Sequence, residues 1–158
     1  MSTGMTYQIE FSNSGATYDF GEQLGRLCKG GEVFVLSSDL GGGKTTLAKG
    51  LVKGLGSSDA VTSPSYTICQ EYKGRGGLLI YHFDFYRLSE PGIVGMELAE
   101  VIDEPGTVII IEWGDIVESA LPGRRVLIRL AGEVKHQDKR MAYIHIPDGA
   151  RHLAEALL

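Results

Sequence analysis

No run of about 18 apolar residues occurs in this 158-residue chain, so no segment is long enough to cross a bilayer as a helix. Cysteine is scarce. Cys28 and Cys69 are the only two, too few for a disulfide framework and without the spacing of a metal pair. A reducing compartment, the cytoplasm, is therefore expected. Basic residues are outnumbered, 15 Lys and Arg against 20 Asp and Glu, for a formal charge of −5. That balance argues against a broad basic face for nonspecific nucleic-acid binding. Met1 to Ile9 has no basic segment followed by an apolar one, so no signal peptide is expected. Repeats, low-complexity tracts and linkers are also missing, and residues 1–158 are expected to form a single domain.

What is present is ordinary globular composition, 43% hydrophobic and 22% charged, and one informative line. Ser38-Asp39-Leu40-Gly41-Gly42-Gly43-Lys44-Thr45 matches the phosphate-binding pattern G-x-x-x-x-G-K-[ST], except that Ser38 stands at the first glycine. Three successive glycines let backbone N–H groups approach phosphate oxygens with no Cβ in the way. Lys44 offers a point charge to β- and γ-phosphates, and Thr45 a hydroxyl to Mg²⁺. The flanks suit such a loop. Val33 to Leu36 reads as a buried strand. Leu47, Leu51 and Leu55 recur every four residues, with Ala48 and Val52 beside them, and Gly56 is a natural stop. A helix starting there points its positive end at a bound anion.

The rest of the chain reads as α/β. Tyr7 to Phe11 is expected as a strand and Ser12 to Gly15 as a turn. Phe20, Leu24 and Leu27 mark a helix ending near Gly30-Gly31. Tyr66 to Tyr72 and Leu78 to Phe85 read as a hairpin about the turn Lys73 to Gly77. Gly92 to Asp103 reads as a helix, Val108 to Ile111 as a buried strand, Val126 to Leu130 and Met141 to Ile146 as two more strands, and Arg151 to Leu158 as a short helix. The expected fold is a mixed sheet of the P-loop NTPase type, flanked by helices, with an antiparallel hairpin added.

A phosphate loop needs an acid from a neighbouring strand for the magnesium shell, in the pattern of four apolar residues and then Asp or Glu. Val108-Ile109-Ile110-Ile111-Glu112 fits it. A carboxylate at a strand's end reaches the crevice above the sheet, where ligands of such folds sit. Trp113, the only tryptophan, follows at once and either flanks a nucleotide or closes the core edge. Asp84 is a second candidate acid. In strand geometry His82, Asp84 and Tyr86 share one face, and Tyr81, Phe83 and Phe85 the other. Thr62 to Thr67 is a hydroxyl-rich loop where many nucleotide hydrolases sense the γ-phosphate. Asn13 is the only asparagine and Ser14 follows it, so the guanine-reading Asn-Lys-x-Asp signature is absent. ATP is the expected nucleotide.

Together these segments resemble the TsaE family, small bacterial P-loop ATPases needed for threonylcarbamoyladenosine in tRNA. The likeness rests on Asp39-Leu40-Gly41-Gly42-Gly43-Lys44-Thr45-Thr46, on Ser63-Pro64-Ser65-Tyr66-Thr67 with Glu71-Tyr72, on His82-Phe83-Asp84-Phe85-Tyr86-Arg87-Leu88 and on Glu112-Trp113, in that order. It covers roughly Gly15 to Ile146. The resemblance implies that Lys44 and the loop amides are phosphate ligands and that Thr45, Asp84 and Glu112 form the magnesium shell. It implies a switch-like role for Ser63 to Thr67. It also suggests Arg140 beside the nucleotide, and Ser14 or Thr17 as an N-terminal contact with the nucleoside. It further implies an ATPase that supports turnover of a TsaD-type transferase and its TsaB-type partner, meeting tRNA only through that complex.

The departures are Ser38 for glycine, Gly42 for alanine and Ser65 for threonine. Ser38 matters most. Were that position to need positive φ, serine would cost about 1 kcal/mol or more; a negative φ, which would tolerate it, is expected. Two other functions compete, a small-molecule kinase and a non-catalytic nucleotide-binding module. A kinase usually carries a lid with arginines, and Arg124 and Arg125, just before a strand, leave little room for one. Retention of Lys44, Thr45, Asp84 and Glu112 speaks against a decayed site.

Overall fold

The structure, a computed structural model, describes residues 3–38, 43–59, 61, 69–86, 88–132, 135 and 138–158. Asp39, Leu40, Gly41 and Gly42 of the phosphate loop, the hydroxyl-rich segment 62–67 with Ile68 after it, and Arg87 lie outside the described residues.

Seven strands form one sheet among the described residues: β1 Gly4–Phe11, β2 Val33–Ser38, β3 Cys69–Lys73, β4 Leu79–Asp84, β5 Thr107–Glu112, β6 Val126–Gly132 and β7 Arg140–Pro147. Their order is β1-β7-β6-β2-β5-β4-β3. The inner four, β6, β2, β5 and β4, run parallel. β5 is buried along its whole length, as its unbroken run Val108-Ile109-Ile110-Ile111 requires of a strand covered on both faces. Antiparallel strands complete both edges. β3 pairs with β4 as the expected hairpin, while β7 and then β1 extend the other side.

Three α-helices occur among the described residues, α1 Ser14–Leu27, α2 Lys44–Gly54 and α3 Gly92–Val101. α1 starts earlier than the apolar spacing from Phe20 suggests. Asn13 caps it, its side chain accepting the Ala16 N–H at 2.8 Å. α1 and α2 lie side by side and parallel on one face of the sheet, where Leu24, Leu47 and Leu51 join Phe34, Leu36, Val108 and Ile110 in a core. Their approach is backbone to backbone. A Cβ on Gly50 would stand 2.1 Å from the Tyr18 carbonyl oxygen, and one on Gly54 2.1 Å from that of Glu22. Gly21 and Gly25 on α1 meet Gly50 and Gly54 on α2, so glycine four residues apart on each helix permits the contact. Arg75, in the β3–β4 turn, closes the far end of the pair. Its guanidinium donates to the carbonyls of Gly25, Arg26 and Cys28 of α1 and its end, and to Gly54 of α2.

The other face of β4 and β5 carries a second core, in which Phe83, Phe85, Ile109 and Ile111 pack with Leu98 of α3 and with Val117. Val117 belongs to a 3-10 helix, Gly114–Ala120, that the sequence pattern does not announce. The C-terminal segment is also a 3-10 helix, Asp148–Leu157, interrupted at Ala150. Its buried Ala150 and Leu153 are three residues apart, a spacing that suits three residues per turn.

Candidate phosphate and metal site

β2, β4 and β5 all end at one rim of the sheet, at Ser38, Asp84 and Glu112. Parallel pairing makes this happen. Asp84 is the register partner of Glu112, and Leu36 is the partner of Glu112 on the other side. Alternation turns Glu112 to the same face as Val108 and Ile110, the face that α2 covers. Asp84 shares it through Ile80 and His82.

α2 delivers Lys44 to the same rim. Gly43, its cap residue, has φ of 100°, a left-handed conformation that suits glycine. Gly43 has no side chain to cap the helix, which leaves the first N–H groups of α2 without a cap from that residue. Lys44 is the first residue of α2 and only 6% exposed. Its Nζ donates to Ser38 Oγ at 3.0 Å and lies 4.5 Å from the centroid of the Trp113 ring. A buried ammonium needs such partners. Thr45 and Thr46 follow in the first turn, half-buried.

Trp113 is the one non-glycine residue at positive φ, 58°, among the described residues. That backbone costs roughly 1–2 kcal/mol and turns the chain out of β5 directly after Glu112. Its ring stands against Lys44 and, at 4.9 Å between centroids, against Tyr86. Trp113 packs on the second core, in keeping with the core-edge reading, and its ring also reaches Lys44 at the rim. Ser38 is not among the positive-φ residues, as expected. Tyr86 lies beyond β4, which ends at Asp84; it is exposed, and its ring meets Trp113.

Both acids are anchored. Asp84 Oδ1 accepts the Tyr86 N–H at 2.9 Å. Glu112 Oε2 lies 2.6 Å from His82 Nε2, with both side chains buried. The sequence offered His82 only as one member of a polar strand face; its pairing with a residue thirty positions away becomes visible once β4 and β5 are registered.

The weaker candidates also reach this end of the molecule. β7 runs antiparallel to β6, so its first residue, Arg140, meets Gly132 at the rim. A Cβ on Gly43 would lie 3.8 Å from Arg140 Nε. Ser14 and Thr17 sit in the first turn of α1, which the parallel helix pair brings beside the first turn of α2. Ser14 is exposed, whereas Thr17 is 1% exposed.

The donors available to a cation are the Thr45 hydroxyl and the carboxylates of Asp84 and Glu112. All are oxygens, as a hard ion such as Mg²⁺ requires. Among the described residues, no group of three His, Cys, Asp or Glu could hold a metal by itself. Oxygen donors of this kind suit Mg²⁺, which is usually held beside nucleotides by one or two carboxylates with phosphate oxygens and water.

A cavity of about 390 Å³ on the opposite face of the sheet shares the Trp113 wall, with Val35, Leu127, Arg129 and Tyr143 also lining it. No described helix is long and apolar enough to cross a membrane.

The chain is similar to known proteins along most of its length. Residues 11–142 match the profile of TsaE, described as threonylcarbamoyl adenosine biosynthesis protein TsaE. A Treponema pallidum protein named tRNA threonylcarbamoyladenosine biosynthesis protein TsaE is 41% identical over 115 residues, which is 72% of this chain and 83% of the relative. A Streptomyces coelicolor protein of the same name is 37% identical over 127 residues, covering 75% and 85%. The crystal structure of Bacillus subtilis YdiB superposes with a TM-score of 0.77 at 27% identity, over 99% of this chain and 97% of that one. With a strand, a glycine-capped helix and two strand-end acids meeting at one rim, and with this likeness in sequence and fold, the chain belongs to the TsaE family.

Proposed function

We propose that this protein binds ATP with Mg²⁺ at the rim formed by Ser38, Lys44, Asp84 and Glu112, and hydrolyses it. The observation that carries the reading is the register pairing of Asp84 with Glu112 beside a buried Lys44. Lys44 and the backbone N–H groups of residues 39–46 bind the phosphates. Gly43 lets that backbone approach closely, and Arg140 adds positive charge beside it. Ser14 or Thr17 contacts the nucleoside. Thr45, Asp84 and Glu112 hold the cation and its water. Mg²⁺ held there would supply positive charge against the negative charge that develops on the transferred group. Asp84 Oδ1 accepts from the Tyr86 N–H and Glu112 Oε2 pairs with His82 Nε2, which holds both carboxylates before ligand arrives.

A kinase is less well supported. Arg124 donates to the carbonyls of Gly31 and Ile102, at the opposite end of β2 from Lys44, and Arg125 to Pro122 and Glu118. Both arginines are engaged away from the rim.

Membership of the TsaE family extends the proposal to the protein's place in the cell. The ATPase acts in threonylcarbamoyladenosine biosynthesis on tRNA, in the cytoplasm, as an accessory to a TsaD-type transferase and a TsaB-type partner. It meets tRNA through that complex. The hydroxyl-rich segment 62–67 is where a partner would read or complete the site. Phosphoryl transfer depends on positioning and charge, and a group supplied in trans can be worth about 10³–10⁵ in rate. ATP turnover is therefore measured with the protein alone and with both partner proteins. Slow turnover that the partners accelerate supports the proposal. Fast turnover by the lone protein, unchanged by partners, contradicts the accessory role.

A further inference from the structure

His82 is fully buried and Glu112 is 3% exposed, and they meet at 2.6 Å between Nε2 and Oε2. The sheet explains the contact. His82 is the register partner of Ile110, two residues before Glu112 on the neighbouring strand. The imidazole therefore lies one step deeper than the rim, and Glu112 reaches back to it. A buried carboxylate without a donor is costly, and a buried pair gives a fixed geometry. The other ring nitrogen, Nδ1, is buried with no hydrogen-bond partner among the described residues. Among the described residues, the ring's polar contact is the Glu112 carboxylate.

We propose that His82 is a positioning residue: by donating from Nε2 to Glu112 Oε2 it fixes that carboxylate, leaving Oε1 to serve the cation or its water at the rim. This inference rests on the nucleotide reading above. A ligand's orienting partner commonly matters by about 10–100-fold in metal affinity or activity. Lys44 donates to Ser38 Oγ and faces Trp113, so metal-free ATP, held through Lys44, is expected to bind independently of His82.

The test uses the full chain and the variants His82→Gln, His82→Asn, Glu112→Gln and the double variant His82→Asn/Glu112→Gln. Glutamine can set an amide N–H near the place of Nε2, whereas asparagine is too short. ATP is titrated in chelator and in saturating Mg²⁺, followed by Trp113 fluorescence, and turnover and thermal midpoint are measured alongside. His82→Asn is expected to bind ATP in chelator as the unaltered protein does, and to lose about 10–100-fold of the Mg²⁺-dependent gain in affinity and of kcat. His82→Gln is expected to keep most of both. In the Glu112→Gln background, His82→Asn is expected to add nothing, because the two act as one unit.

A His82→Asn variant with an unaltered response to Mg²⁺ overturns the proposal while leaving the nucleotide reading intact. So does multiplication of the two single effects in the double variant. If His82→Asn unfolds, His82→Gln decides: folded but as unresponsive to Mg²⁺ as Glu112→Gln, it too overturns the role. Failure of the unaltered protein to bind ATP under either condition removes the nucleotide reading, and this inference with it.

Discussion

The Lys44 ammonium rests against the face of Trp113, 4.5 Å from the ring centroid. A cation over an indole is held by the ring quadrupole, and phosphate competes for the same charge. Trp113 is the chain's only tryptophan, so its emission reports this one place. Addition of ATP is expected to shift Trp113 fluorescence in a saturable way. An emission spectrum unchanged at ATP concentrations that saturate binding in a dialysis assay would separate Lys44 from the phosphates.

Asp84 and Glu112 are neighbours across β4 and β5, so both are expected to act through the metal. Asp84→Asn and Glu112→Gln keep side-chain shape and remove charge. Each is expected to fold, to bind ATP in chelator, and to lose about 10²-fold or more of Mg²⁺-dependent turnover, which is typical when one preorganised charge is removed. Turnover measured against Mg²⁺ concentration checks this. Full hydrolysis at limiting Mg²⁺ by either variant assigns that acid to the sheet alone.

Ser38 occupies the first glycine position of the phosphate loop without a left-handed backbone, and its hydroxyl accepts from Lys44 at 3.0 Å. Ser38→Gly therefore relieves no strain. It removes one hydrogen bond, worth about 1 kcal/mol, or some fivefold in affinity. It also adds chain freedom costing roughly 0.5–1 kcal/mol of stability. ATP affinity by calorimetry is expected to fall by no more than this. A tenfold gain would show that serine distorts the loop and would favour a degenerate binding module.

Gly50→Ala addresses the mounting of α2. The new methyl would meet the Tyr18 carbonyl oxygen at 2.1 Å, and neither helix can yield without opening the pair. Overpacking of this kind costs roughly 3 kcal/mol. Chemical denaturation is expected to show that loss, and ATP affinity to weaken too, because α2 carries Lys44. An alanine variant as stable as the parent would mean that the helices are not held in this contact.

Much of this arrangement was legible in the sequence because local signals and chemistry coincide. Val108 to Glu112 announces both a buried strand and the acid at its end. Leu47, Leu51 and Leu55 announce α2, and Lys44 follows from the loop pattern. Long-range geometry was not legible. The His82–Glu112 pair depends on the register of two strands thirty residues apart, and nothing in either segment encodes that register alone. The glycines of α1 and α2 carry their meaning only once the two helices touch. Trp113 shows the same limit from another side, since a left-handed tryptophan has no local sequence signature. Nor does spacing reveal Arg75, whose guanidinium joins the ends of two helices from a hairpin turn.

The most direct measurement is equilibrium binding of labelled ATP to the protein and to Lys44→Ala, in Mg²⁺, with thermal midpoints recorded to confirm that both are folded. The ammonium at this rim pairs with Ser38 and faces Trp113, and it is the charge that ATP phosphates would meet. The account predicts saturable binding by the unaltered protein and its loss in Lys44→Ala. Equal affinities in two folded proteins would contradict it, and would remove the phosphate loop from the function of this chain.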